Sequence, residues 1–451
     1  MFSRENFKKL TLLIIIFSLL VFGGFNLWRF YEKEIGQQGG LNISVYPSQA
    51  ALKIKGQIYY PKNGLFKLNL PIGKYNLEFS YLEYSPLEKE IEIKPREIVF
   101  LGKIYLFPLE WVKENIIEER NIRQFYLDKS NRFVYLLPSD KGYDWYFFER
   151  NLKQKTKFYQ NAELPLVMEF SPASKKVIVR FPKNEWKTVF LPKGLPGGDI
   201  NINSRFLGAL KQANVAIGKK SLVIEQIVFI PERSDNKVIL RTKSAVYLFD
   251  FIETEIKEII SAEISHFIFE NNNLYYAKEN GLLFRFDLEN FKEEEISLFS
   301  FKNQNESLEN IKIYKAKAKN IFLVVDSQKK SYLLEKKQDL PLFITDETTD
   351  AEFSPEAEKI LLGKENNKIL IYQIESGIMT EENIPYASMP VWFLDNNHLL
   401  FTGNKNLNAY SLETKKASLI DSELENKNFF YDPSLNYIFY LTKEGIKKTS
   451  F

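Results

Sequence analysis

Eight segments of this 451-residue chain repeat one pattern: an aromatic residue at the end of a short apolar stretch, a turn, then a second apolar stretch. The aromatic anchors are Phe125, Phe170, Phe229, Phe269, Tyr314, Phe353, Phe393 and Tyr431. Successive anchors lie 38 to 45 residues apart, save one step of 59 between Phe170 and Phe229. In the clearest copies Phe170-Ser171-Pro172 precedes K-K-V-I-V-R, and Phe353-Ser354-Pro355 precedes K-I-L-L-G. Phe393-Leu394-Asp395 and Tyr431-Asp432-Pro433 hold the same place before H-L-L-F-T-G and Y-I-F-Y-L-T. A third alternating stretch then follows, as in A-V-Y-L-F-D from Ala245 and K-I-L-I-Y-Q from Lys368.

A sheet of three or four such strands cannot bury both its faces alone, whereas stacking copies around an axis buries them. A period near 40 therefore predicts a seven- or eight-bladed β-propeller over residues 107–451. The long step predicts an ordered loop or extra hairpin around Pro196 to Ser221. The last unit, from Asn428 to Phe451, lacks an outer strand. Part of Ile98 to Leu106 either supplies that strand and closes the ring, or is the last strand of a preceding domain.

That preceding domain is read from a different period. From Leu41, L-N-I-S-V-Y-P, A-A-L-K-I-K-G, L-F-K-L-N-L-P, K-Y-N-L-E-F-S-Y and K-E-I-E-I-K-P alternate apolar and polar residues and end on Gly, Pro or a polar turn. Alternation over four to eight residues marks half-buried antiparallel strands. A small all-β domain is expected over residues 41–106.

In front of it Leu10 to Trp28 is an uncharged, strongly apolar run. At about 1.5 Å per residue, 19 residues cover roughly 28 Å, the thickness of a bilayer core. Arg4, Lys8 and Lys9 precede it against Glu5, while Arg29 and Lys33 behind it are balanced by Glu32 and Glu34. This bias predicts a single-pass anchor at the cell membrane: residues 1–9 a cytoplasmic tail, 10–28 a transmembrane helix, 29–40 a linker, and the rest outside. A cleaved signal peptide is the rival, but Phe22 and Phe25 spoil the small-x-small pattern around Gly23 and Gly24. The expected fold class is thus mainly β, with an N-terminal transmembrane helix.

Two family resemblances accompany these readings. Pro47-Ser48-Gln49-Ala50, Leu52 to Gly56, Pro71-Ile72-Gly73-Lys74-Tyr75 and Tyr84-Ser85-Pro86 resemble the PEGA domain, with Gln49 where that family has glycine. This resemblance implies a small β-sandwich-like module of envelope proteins, usually without catalytic residues. The repeats resemble TolB-like and WD40-like propellers. Ser171-Pro172-Ala173-Ser174 and Ser354-Pro355-Glu356-Ala357 stand where those families carry Ser-Pro-Asp-Gly, and no Trp-Asp dipeptide ends a strand.

Chemistry is sparse. With no Cys, disulfides, thiolate metal sites, a Cys nucleophile and lipoprotein processing are excluded. A net charge of +3, from 61 basic and 58 acidic residues, argues against a nucleic-acid partner. The two histidines, His266 and His398, sit in strand-like contexts and read as structural, though both could meet at a propeller axis. No G-x-S-x-G elbow accompanies them. Asp346-Glu347-Thr348-Thr349-Asp350 lacks the glycine and spacing of an EF-hand and reads as a solvated loop. Gly218-Lys219-Lys220-Ser221 lacks the first glycine of a P-loop. The run Tyr143 to Phe148 reads as core rather than a stacking surface.

No catalytic, cofactor-binding or metal residue is therefore assigned, and no cofactor is expected. The expected function is non-enzymatic binding or scaffolding by a membrane-anchored cell-envelope protein, with an envelope protein, glycan or wall component as partner. The alternatives are an extracytoplasmic enzyme acting on glycans at the propeller axis, or an envelope assembly factor.

Overall fold

The computed structural model describes residues 16–26, Arg29 and 38–451, apart from 129, 131, 193–197, 214–222, 231–234, 298, 303–307, 318, 336–339, 366–367 and 387. It divides into two compact units, residues 1–111 with Phe451, and residues 112–450.

The N-terminal expectation is corrected. The described helical run covers residues 16–26, about 16 Å at 1.5 Å per residue. Among the described residues no helix is long and apolar enough to cross a membrane. The transmembrane helix over 10–28, and the cell-membrane location that rested on it, are not supported. Residues 1–15 and 27–28 lie outside the described residues, as do 30–37 of the expected linker.

In the first unit seven strands form two sheets: β1 (Gln38–Tyr46), β2 (Ala51–Ile54), β3 (Gln57–Tyr59), β4 (Leu65–Pro71), β5 (Gly73–Ser80), β6 (Leu87–Ile93) and β7 (Ile98–Tyr105). Their orders are β4-β1-β7 and β3-β2-β5-β6. Along β1 every second side chain is buried, so Leu41, Ile43 and Val45 join Leu52, Phe66, Leu77, Phe79 and Ile93 in one core. Lys55 (φ 48°) and Gly56 (φ 86°) make the tight turn between β2 and β3. The segment 98–105 does not close the propeller. As β7 it runs parallel to β1, with Leu41 opposite Val99 and Val45 opposite Ile104.

In the second unit the described residues form eight four-stranded sheets. Blades 1 to 7 are continuous in sequence, over 124–161, 167–201, 224–260, 268–295, 312–345, 348–382 and 391–421. Blade 8 takes three strands from 424–450 and its outer strand from β8 (Lys113–Ile117), which runs antiparallel to Gly445–Ser450. The strand missing from the last repeat is thus supplied from just after the small domain. Closure leaves Gly445 no room for a side chain: at φ 134°, an added Cβ would lie 1.9 Å from the Ile117 carbonyl oxygen.

Apolar cores fill successive blade-to-blade joints. At joint 8/1, Phe125, Phe133 and Tyr135 pack on Phe439, Leu441 and Ile446, all essentially inaccessible to solvent. Each such side chain contributes roughly 2 kcal/mol by leaving water. At joint 7/8 the rings of Phe393 and Tyr431 lie 5.0 Å apart. The anchors therefore belong to the joints: each lies in the first strand of its blade, except Phe393, which directly follows it.

The long step between anchors holds a helix rather than a hairpin, Ile202–Gln212. Asn201 caps it by accepting the Ser204 N–H at 2.9 Å. Ile202, Phe206, Ala209 and Leu210 fall on one face and are buried against the core of blades 2 and 3. Residues 193–197 and 214–222 beside it, which include Gly218-Lys219-Lys220-Ser221, lie outside the described residues.

Candidate functional site at the propeller axis

The first strand of each blade is an edge strand of its sheet, and side chains on first strands reach the next blade at joints 2/3, 3/4 and 5/6. They form the inner wall of the ring. Pairing of first with second strands fixes equivalent positions around it. One layer consists of Tyr126, Glu169, Val228, Ile268, Tyr314, Glu352, Val391 and Phe430, each opposite the middle of its second strand. All eight are half-buried.

Read around the ring, this layer is Tyr, Glu, Val, Ile, then Tyr, Glu, Val, Phe. Blades 1–4 and 5–8 repeat each other. Glu169 accepts the Phe229 N–H of the next blade at 3.2 Å. Glu352, four blades on, faces the backbone N–H of Trp392, which stands where Phe229 does, and the Trp392 indole N–H donates to the Glu352 backbone carbonyl at 3.2 Å. Burial pushes the Glu169 carboxyl up to about 7, opposed by the Phe229 N–H. Burial likewise pushes Glu352 up to about 7, while the Trp392 N–H and Lys317 pull down and Asp350 pushes up.

The turns that follow repeat as well. The Ser171 hydroxyl oxygen accepts the N–H groups of Lys175 and Lys176, and that of Ser354 accepts those of Glu358 and Lys359. These serine-led turns replace the Asp-Gly bend of the Ser-Pro-Asp-Gly pattern. Each then latches onto the next blade. Ala173 N–H donates to Asp235 and the Lys176 ammonium to Asn236. Glu356 N–H donates to Asn396 and the Lys359 ammonium to Asn397. Burial lowers the pKa of both lysines.

A carboxyl titrating near 7 can give or take a proton at neutral pH. Glu169 and Glu352 stand on opposite sides of the ring, among Tyr, Val, Ile and Phe, and each carboxyl faces a backbone N–H of the next blade. Sequence reading passed over both, although Glu-Phe-Ser-Pro recurs at 169–172 and 352–355.

The residues singled out by sequence do not converge. His266, exposed, precedes the first strand of blade 4, its Nδ1 3.4 Å from both Arg241 Nη2 and Gln226 Oε1. His398 begins the second strand of blade 7 at the opposite end of the ring, buried, its Nδ1 2.7 Å from Asp395. Asp350 accepts the Tyr314 hydroxyl at 2.7 Å and Asp346 pairs with Lys364, so the 346–350 acids face separate partners. Among the described residues no group of three or more His, Asp or Glu could hold a metal ion. The run Tyr143 to Phe148 lies in Gly142–Glu149 of blade 1, where Trp145 is fully buried against Tyr159 and Phe181.

Residues 215–434 match the family described as the NUP159/214 beta propeller, a stretch covering blades 3 to 7 and part of blade 8. The match supports the β-propeller fold; no match to the PEGA or TolB-like families accompanies it. Among solved structures, the chain is similar to the computationally designed Ika8 protein at 11% identity, over 75% of this chain and 98% of that one, with a TM-score of 0.46. A likeness this loose bears on nothing further. No curated protein matches.

Proposed function

We propose that this chain is a non-enzymatic binding or scaffolding protein that presents the loops of a closed propeller to a protein or glycan partner. One observation carries the reading: the buried polar groups of the ring bind blade to blade. Glu169 accepts the Phe229 N–H and the Glu352 carbonyl accepts the Trp392 indole N–H across joints, and Lys176 and Lys359 latch their turns. Asp421, buried in blade 7, accepts from Tyr440 and from Lys113 of the closing strand, both at 3.1 Å. A ring so joined holds its loops at fixed separations, which favours recognition without a large ordering cost. The small domain is read as a PEGA-like module. Its support is the turn at Pro47 to Ala50, where Ala50 N–H donates to the Pro47 carbonyl at 3.0 Å and Ala50 is fully buried.

The test uses the full chain carrying photo-cross-linkers in propeller loops, incubated with separate protein and glycan fractions. Cross-links clustered on one face of the ring are expected. Failure to retain either fraction would sink the reading. A second reading, enzymatic action at the axis, is favoured only by the two carboxyls held near neutrality. Turnover of a glycan library, abolished in Glu169→Gln or Glu352→Gln, would replace the first reading with this one.

A further inference from the structure

In the small domain β7 (Ile98–Tyr105) pairs with β1 on one side, and among the described residues no strand pairs with its other side. Such an edge presents backbone N–H and C=O groups to any strand laid beside it. The other edges of the domain are blunted. β6 carries Glu88, Lys89, Glu90 and Glu92, β3 is three residues long, and β4 carries Lys67 and ends on Pro71. From Ile98 to Leu101, β7 has no charge. Val99 and Leu101 pack on the domain core, while Ile98 and Phe100, on the opposite face, are 58% and 67% exposed. Glu97 and Lys103 stand three residues to either side of Phe100. Among the described residues neither is ion-paired, and the Lys103 ammonium lies 5.5 and 4.7 Å from the ring centroids of Tyr46 and Tyr105. At Gly102, φ 69°, the strand has no side chain to oppose a neighbour.

We propose that β7 joins two copies of this chain, edge to edge and antiparallel, about a two-fold axis at Phe100. The inference goes beyond the scaffold reading and stands apart from it. A two-fold contact needs a self-complementary surface, in which residue i meets j and j meets i. Around Phe100 the strand has that character. Phe100 meets its own copy, Ile98 meets the bare backbone at Gly102, and the Glu97 end of each strand meets the Lys103 end of the other. Opposite charges thus flank an apolar centre on both sides. A parallel pairing would instead set Glu97 on Glu97 and Lys103 on Lys103, which repel. Self-pairing of β6 about its middle residue would set Glu90 on Glu90 and Glu88 on Glu92, so charge forbids there what it favours at β7. The outcome is one six-stranded sheet of order β4-β1-β7-β7-β1-β4.

The chain has no cysteine, so a single introduced one reports where copies meet. Under mild oxidation the full chain carrying Phe100→Cys should form a disulfide-linked dimer about tenfold faster than one carrying Lys67→Cys, because facing cysteines at the two-fold lie within disulfide reach. Lys67 is exposed on β4, the opposite edge of the same sheet. In sedimentation of the cysteine-free full chain, Glu97→Lys should weaken the dimer about tenfold, and Glu97→Lys/Lys103→Glu should restore it. Thermal melting confirms that each variant folds, and the cross-linking and charge-swap arms use different variants, so a defect in one leaves the other decisive. Equal cross-linking rates at the two positions would overturn the proposal, as would a charge swap that restores nothing. Association through the N-terminal residues links both cysteines alike, and pairing of β7 with a strand of a different protein leaves Phe100→Cys monomeric. Either result sinks the self-pairing and leaves the scaffold reading standing.

Discussion

Blades 1–4 and blades 5–8 agree near the axis and diverge away from it. The inner layer, the Glu-Phe-Ser-Pro turns and the latches recur at joints 2/3 and 6/7. The helix Ile202–Gln212 sits in the first half without a counterpart among the described residues of the second. The second half instead contains the blade assembled from two distant parts of the chain. Geometry accounts for the contrast. Inner strands crowd together, so a change in one must be matched by its neighbour, whereas outer strands fan apart and tolerate insertions. What the halves share is what joins blade to blade near the axis.

The sharpest break in the comparison is at closure. Gly142 and Gly445 occupy the same turn in blades 1 and 8, and an added Cβ at either would lie closer than 2.5 Å to backbone. Gly445→Ala should cost about 3 kcal/mol, from strain at positive φ plus displacement of β8. Gly208→Ala, with nothing within 4 Å of its added Cβ, should leave stability unchanged or slightly raised. Urea melts of the full chain would measure both.

Next in size is the pH dependence of the two carboxyls. Glu169 and Glu352 titrate near 7 in the folded chain and near 4.5 when unfolded. The folded state therefore holds more protons between these values. Stability contributed by the neutral carboxyls is full below about 4.5 and is lost as pH rises through 7. Glu169→Gln and Glu352→Gln, neutral throughout, should each be more stable than the parent by roughly 1–3 kcal/mol at pH 8, and equal to it near pH 4. Thermal melts at both pH values check this. A pH-dependent gain at only one site would show that the halves are not equivalent.

The latches come third. Lys176→Met and Lys359→Met should each cost about 1 kcal/mol, because each leaves an asparagine acceptor with a lost partner. Double-mutant cycles should couple Lys176 to Asn236 and Lys359 to Asn397, but not Lys176 to Asn397 across the ring. Coupling across the ring would mean that the two joints open together.

The smallest effect separates two residues that share one position. Tyr314 donates to Asp350 at 2.7 Å in the next blade, whereas Tyr126 donates to Gln124 at 3.2 Å within its own strand. Tyr314→Phe should cost about 1 kcal/mol and Tyr126→Phe less than half of that, by the same melts.

Repetition was readable in one dimension because the anchor rings fill gaps between neighbouring sheets, so their spacing reports about one blade of chain. The strand alternation of the small domain was readable for the same kind of reason: β1 buries every second residue. Amino-acid sequence determined that much, since a period reflects a local burial pattern. Hydrophobicity alone misled at the N-terminus, where an apolar run says nothing of how many residues are helical. The helix at Ile202 carried its own cap and apolar face, hidden by the Gly-rich stretch before it. Only the tertiary structure decided that 113–117, not 98–105, closes the ring, because Gly445 admits a backbone at a distance no sequence pattern records. It alone brought Glu169 to Phe229 and Glu352 to Trp392. Each of these joins residues about 40 or more apart, and such contacts are set by how blades stack rather than by any local preference.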